Sequence, residues 1–157
     1  MRALILIICI AMAASCDKEE NKSNPASYNV DVNFQIFLHN EQGQNLLNPD
    51  INGSYVHSKV SIYSDPLLSN SISDPFLQSS NGNFFLDLYG GGDKEIERGE
   101  NRIKCGTQYL QLNSITIDTI YSETIYKGES LLLNKVIYNS KEVYNLGDNR
   151  AIIITKE

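Results

Sequence analysis

Residues 28–39 read YNVDVNFQIFLH, and the alternation in them decides the fold class. Tyr28, Val30, Val32, Phe34, Ile36 and Leu38 fall on one side of an extended chain. Asn29, Asp31, Asn33, Gln35 and His39 fall on the other, with Phe37 the apolar exception. Successive side chains of a strand point to opposite faces, so period two sustained over this length describes a strand with one buried face.

The same pattern recurs outward along the chain. In residues 54–63, Val56, Ser58, Val60 and Ile62 share a face while His57 and Lys59 lie opposite. Phe84, Leu86 and Leu88 mark a third strand, stopped by Gly90, Gly91 and Gly92. Residues 102–105 and 109–112 are short extended pieces, and 114–125 is a long strand rich in Ile and Thr. Residues 131–138 form another, which turns at Asn139-Ser140-Lys141 into 142–144; Gly147-Asp148-Asn149 turns again into 151–155 (AIIIT). Between these lie the turn Asn40-Glu41-Gln42-Gly43 and a loop at 45–49, where Pro49 bars regular pairing. Residues 64–83 are loop-like, with Asp65-Pro66, Asp74-Pro75, Asn81-Gly82 and many Ser. No stretch after the N-terminal run carries a 3.6-residue apolar period. About seven to eight short strands separated by turn residues predict an all-β chain. The expected architecture is a single antiparallel β-sandwich, immunoglobulin-like or transthyretin-like, over residues 28–157. Its core is expected to be Val, Ile, Leu, Phe and Tyr, because the chain has no Trp.

The N-terminus reads differently. Arg2 precedes the apolar run of residues 3–14 (ALILIICIAMAA), then Ser15 and Cys16. This run is too short for a membrane-spanning helix, which needs about 20 residues. A positive start, a short apolar core and small residues describe an export signal over residues 1–15. Cys16 directly after Ala13-Ala14-Ser15 looks like a bacterial lipobox, in which the cysteine is acylated and becomes the new N-terminus; Ala13 stands where Leu is usual. Asp17, Lys18, Glu19 and Glu20 resemble the acidic signal that Bacteroidota-type bacteria place behind the lipid-bearing cysteine to send lipoproteins to the cell surface. Each buried CH₂ contributes about 0.8 kcal/mol, so two or three acyl chains give a permanent anchor. Residues 17–27 (DKEENKSNPAS) hold no large apolar residue and read as a disordered tether of about 15–20 Å.

Charge and cysteines exclude several classes. Arg2 leaves with the signal, so 13 Lys+Arg fall to 12 against 19 Asp+Glu, and the net charge moves from −6 to −7. An acidic chain without a basic stripe argues against nucleic acid and against direct binding of anionic head groups. Cys9 leaves with the signal and Cys16 carries lipid, so Cys105 has no partner for an internal disulfide. With no His near it in sequence, Cys105 reads as a buried, inert core thiol.

The search for chemistry returns little. His39 and His57 lie on a polar face or strand end, and three or four suitably spaced zinc ligands are missing. No Ser sits in a G-x-S-x-G elbow, and Gly90-Gly91-Gly92 lacks the Lys-Ser/Thr of a phosphate loop, leaving a flexible turn. Asp93, Glu95 and Glu97 alternate and would share a side in an extended segment. Lys94 and Arg98 interleave with them, and Ca²⁺ wants six to eight oxygens, so a solvated charged loop is favoured over a cation site. No catalytic residue, metal site or cofactor is predicted. Nine Tyr, among them Tyr55, Tyr63, Tyr89, Tyr121, Tyr126, Tyr138 and Tyr144, suit either strands or a recognition surface.

Gly43-Gln44-Asn45-Leu46-Leu47-Asn48-Pro49 resembles the G-x-D/N-L-L-x-P segment of small Bacteroidota lipoproteins. Asp118-Thr119-Ile120, the run 135–141 (KVIYNSK) and the terminal strand ending in Thr-Lys resemble their C-terminal half. With Cys16 and the acidic run, this resemblance to small Bacteroidota-type surface lipoproteins covers most of the chain. It implies a single β-sandwich domain, with Leu46 and Leu47 plugging one end of the core, and no catalytic residues to carry over. The expected function is a non-catalytic binding or accessory module anchored in the outer membrane, with a glycan or protein partner at the cell surface. An envelope component holding a partner protein is the second reading, and a small surface hydrolase using paired carboxylates the third.

Overall fold

The alternating stretch becomes two strands, β1 (Asn29–Asp31) and β2 (Asn33–His39), broken at Val32. The computed structural model describes residues 29–55, 59–73 and 76–156. Apart from Lys59, which has a 3₁₀ conformation, every regular element among them is a strand. After β2 come β3 (Ser61–Tyr63), β4 (Ser71–Ser73), β5 (Phe76–Ser80), β6 (Asn83–Tyr89) and β7 (Lys94–Arg98). Then follow β8 (Asn101–Gln111), β9 (Ile117–Lys127), β10 (Ser130–Tyr138), β11 (Lys141–Asn145) and β12 (Ala151–Thr155). Eight strands form one sheet, in the order β1-β10-β9-β8-β3-β4, with β11 also on β10 and β7 also on β8. The other four form a second sheet, β12-β2-β6-β5.

The break at Val32 is a change of sheet. β1 runs parallel to β10 in the larger sheet, and β2 lies between β12 and β6 in the smaller one. Strands that switch sheets make the corners of a sandwich. Here the buried Val32 accepts the Gly90 N–H through its carbonyl at 3.0 Å. Arg150 clamps the corner: its guanidinium pairs with the Asp31 carboxylate and donates to the carbonyls of Asp31 (3.2 Å) and Asn33 (3.3 Å).

One core lies between the sheets. Phe34, Ile36, Leu38, Leu86, Leu88 and Ile152 enter it from the smaller sheet; Ile62, Leu110, Ile120, Leu133, Val136 and Tyr144 enter it from the larger. Each such side chain contributes about 1.5–3 kcal/mol on burial, which makes this the main source of stability. Leu46 and Leu47, 8% and 0% exposed, join the same core from the loop after β2, as expected of a plug. Gly90, Gly91 and Gly92 carry the chain from β6 across to β7. They are not a loose turn. A Cβ on Gly92 would stand 2.7 Å from the Cys105 carbonyl oxygen and 2.7 Å from Gly106 Cα, so the backbones approach too closely for a side chain.

The all-β sandwich expected from the alternation is therefore present, with three differences. The sheets are mixed rather than wholly antiparallel, because β1/β10 and β12/β2 are parallel. The strands number twelve among the described residues rather than seven or eight, split eight and four where an immunoglobulin constant-type sandwich has four and three. The extra strands come from residues 64–83, where β4 and β5 take their order from β3 and β6 rather than from any pattern of their own. They come also from the acidic segment, which is no loop but β7, hairpinned onto β8. The pieces 102–105 and 109–112 join into β8 alone. Tyr28, Val56, His57 and Ser58 lie outside the described residues, as do the signal, Cys16 and the tether.

Candidate functional site

The β11–β12 connection carries the chain from the edge of the larger sheet to the edge of the smaller. Where these two edges part, they open a cleft of about 520 Å³. Tyr138, Asn139, Lys141 and Val143 line one wall; Ile153, Ile154, Thr155 and Lys156 line the other, with Tyr55 and Thr116 at the end. The first wall is held by a tight hairpin turn in which Asn139 (φ 45°) and Ser140 (φ 68°) both adopt the left-handed conformation that two-residue hairpins require.

The cleft is organised by Asp118, which is 3% exposed. It points inward from β9 in the same alternating row as Ile120, Ser122 and Thr124. Its Oδ2 accepts the Tyr138 hydroxyl at 2.5 Å and the Lys156 ammonium at 2.6 Å; Oδ1 accepts the Asn139 amide at 2.6 Å. Lys156 also stands over the Tyr138 ring, 5.4 Å from its centre. Since Lys156 follows β12 and its N–H donates to the His39 carbonyl, the Asp118–Lys156 pair ties the two sheets together at this end. Burial, then the hydrogen bond to Asp118, hold the Tyr138 phenol far above its ordinary titration range. Burial and the Asp118 charge also raise Tyr55, which therefore stays a neutral donor. The Lys141 side chain is exposed at the rim and makes no ion pair or hydrogen bond with any described residue.

A second polar cluster sits on the other face of β9. Glu123, 3% exposed, accepts Arg98 through both oxygens (3.1 and 3.0 Å), the Tyr121 hydroxyl (2.9 Å) and the Asn134 amide (3.3 Å). Burial alone would push this carboxyl up; Arg98 and Tyr121 outweigh it and bring it below 4.5. Cys105 faces Glu123 across the β8/β9 ladder and is buried, as the sequence suggested. Both Glu123 oxygens are engaged within this cluster, which locks β7 to β9.

The remaining candidates are dispersed. Glu95 pairs with Arg102 at 2.7 Å, and Arg102 stacks over Tyr126 at 4.8 Å, at the end of the sheet where the chain enters β1. Glu95 and Glu97 do share a side of β7, while Asp93 precedes the strand. Among the described residues no group of three His, Cys, Asp or Glu is placed to hold a metal ion. His39 ends β2, with its carbonyl accepting Lys156. Of the tyrosines, Tyr138 and Tyr144 are core residues and Tyr89 is exposed. Cys16, Asp17, Lys18, Glu19 and Glu20 lie outside the described residues. Asp118 and Glu123 escaped the sequence reading because their partners are 20 to 38 residues away for Asp118 and as many as 25 for Glu123. The usable signal was Asp118 standing in an inward row with Ile120. Comparison with protein-family models, curated proteins and solved structures finds no match to the chain.

Proposed function

We propose that this chain is a non-catalytic binding module, anchored in the outer membrane through an acylated Cys16 and displayed at the cell surface by the acidic run Asp17, Lys18, Glu19 and Glu20. The observation that carries the binding reading is the cleft between β11 and β12. Its buried acid has both oxygens occupied by short hydrogen bonds, and its buried phenol is held protonated, so neither group is poised for proton transfer at neutral pH. What the cleft does present is Tyr55, Lys141 and Thr155 beside the apolar Val143 and Ile153, which is a surface for recognition. Residues 16–27 supply the tether, and the cleft lies at the end of β10 away from the chain entry at Asn29, roughly 26 Å off at about 3.3 Å per residue.

The test is protease shaving of intact cells carrying the wild-type chain or Cys16→Ala. Cleavage of the wild type on unbroken cells, with Cys16→Ala lost from the membrane fraction, supports the reading. Cleavage only after lysis overturns the surface placement and favours an envelope component that holds a periplasmic partner. Turnover of a surface glycan or peptide that disappears with Asp118→Asn overturns the non-catalytic part.

A further inference from the structure

Strand β12 has one partner among the described residues, β2, and its parallel register decides which backbone groups that partner uses. Gln35 N–H donates to the Arg150 carbonyl and Lys156 N–H to the His39 carbonyl, with Ala151, Ile153 and Thr155 opposite Gln35, Phe37 and His39. In such a ladder the even residues 150–156 serve β2, and the odd ones turn their N–H and C=O to the open edge. The Ala151 N–H is capped by the Asn149 side chain at 3.0 Å. That leaves the carbonyl of Ala151 and both groups of Ile153 and Thr155 in a row facing away from β2, alongside the cleft.

Edges of this kind are normally blunted by Pro, inward charges or a covering segment. β12 carries none within AIIIT, and Ile153 is 62% exposed. Only an extended polypeptide matches a row of donors and acceptors spaced two residues apart; a glycan or a small anion does not. Across the cleft from this row stands the Lys141 ammonium, unpaired with any described residue, on a chain whose net charge is −6. Among the described residues lining the cleft, the one unmatched charge is thus positive.

We infer that the cleft takes an extended peptide segment of a partner protein, added as a strand to the edge of β12, with an acidic group of that segment meeting Lys141. This rests on the binding reading above and names its ligand class. Main-chain hydrogen bonds to Ile153 and Thr155 give the affinity, and the Val143 and Ile153 side chains select an apolar residue at alternate positions.

The experiment is amide NMR on the full chain carrying Cys16→Ala, titrated with seven-residue peptides alternating Val and Thr. One ends in Asp, one ends in Lys, and one is the Asp peptide methylated on alternate backbone nitrogens. The Asp peptide is expected to shift the Ile153 and Thr155 amides and to bind several-fold tighter than the Lys peptide. Methylation is expected to weaken it at least tenfold. Ile153→Pro should also abolish binding. It removes an outward N–H and leaves the β2 ladder intact, which unchanged Gln35 and Phe37 amide shifts would verify; Ile153→Thr keeps the N–H and should keep binding. Binding that ignores backbone methylation, or that shifts residues away from β12, overturns the proposal. If no peptide binds while an oligosaccharide panel moves the Tyr55 and Lys141 signals, the strand assignment fails and the binding module stands. If neither moves them, both fail.

Discussion

Asp118→Asn is the sharpest probe of the site. The substitution keeps shape and removes charge, but it also reverses one hydrogen-bonding end. Oδ2 faces two donors, Tyr138 and Lys156, and Oδ1 faces a third, Asn139, at 2.5–2.6 Å. An Asn placed either way must turn its NH₂ toward a donor. Hydrogen bonds to a charged group contribute about 1.5–3 kcal/mol each, and removing one partner of a buried pair costs about 3–5 kcal/mol. Lys156 is only 15% exposed, so it regains little solvation without leaving the cleft. The expected loss is about 3–5 kcal/mol, a large part of the 5–15 kcal/mol of an ordinary domain. At about 2–4 °C per kcal/mol, the melting temperature should fall by roughly 6–20 °C. Urea unfolding of the full chain, with Lys156→Met and the double variant completing a cycle, reads both the loss and the coupling. A loss under about 1 kcal/mol, or additivity of the two changes, would refute the account of Asp118 as the tie between sheets.

Three further outcomes follow from the packing. The Glu123 carboxyl is held below its ordinary 4.5, so its contribution is complete above that value and is lost as pH falls through the lower folded value. Urea midpoints measured from pH 7 down to 2.5 should drop more steeply for the wild type than for Glu123→Gln, and equal slopes would remove Glu123 from the acid response. Gly92→Ala places a Cβ against backbone atoms, while Gly90→Ala meets chiefly the side-chain end of Leu133. Gly92→Ala should therefore cost more, at about 1–3 kcal/mol for overpacking, as read by thermal melts. Cys105, 4% exposed, should resist a thiol reagent such as Ellman's in the native protein and react fully in denaturant; fast native reaction would contradict its burial.

The fold class was legible because strand signals are local: β2 and β6 carry period-two alternation, and β9, β10 and β12 are rich in Ile, Leu and Thr between turn residues. The sheet change at Val32 was not, since alternation runs through the corner without a break and only the partners differ. β4 and β7 were hidden for another reason. Strands such as Ser71–Ser73 and Lys94–Arg98 have almost no apolar signal, and take their conformation from backbone pairing with β3 and β8 and from cross-strand pairs such as Glu95–Arg102. Lys94 and Arg98 were seen to interleave with the acids, but the reach of Arg98 to Glu123 spans a third strand. The glycine run was visible as three residues and misleading as a motif, because what it serves is contact with Cys105 and Gly106, distant in sequence. The cleft could not be read at all. It exists because two sheet edges diverge after a turn, which no short motif records.

The parallel pairing of the two outermost chain segments has a mechanical side. Asn29 lies at one end of the sandwich and Lys156 at the other, so tension between the proposed N-terminal anchor and the partner proposed on β12 would run along the strands. The bonds of β1 to β10 and of β12 to β2 are then loaded in shear, all at once, rather than peeled singly from an end. Resistance to such force depends on the unfolding rate and not on equilibrium stability, and the Arg150 clamp on Asp31 and Asn33 crosses the point where the load passes from one sheet to the other.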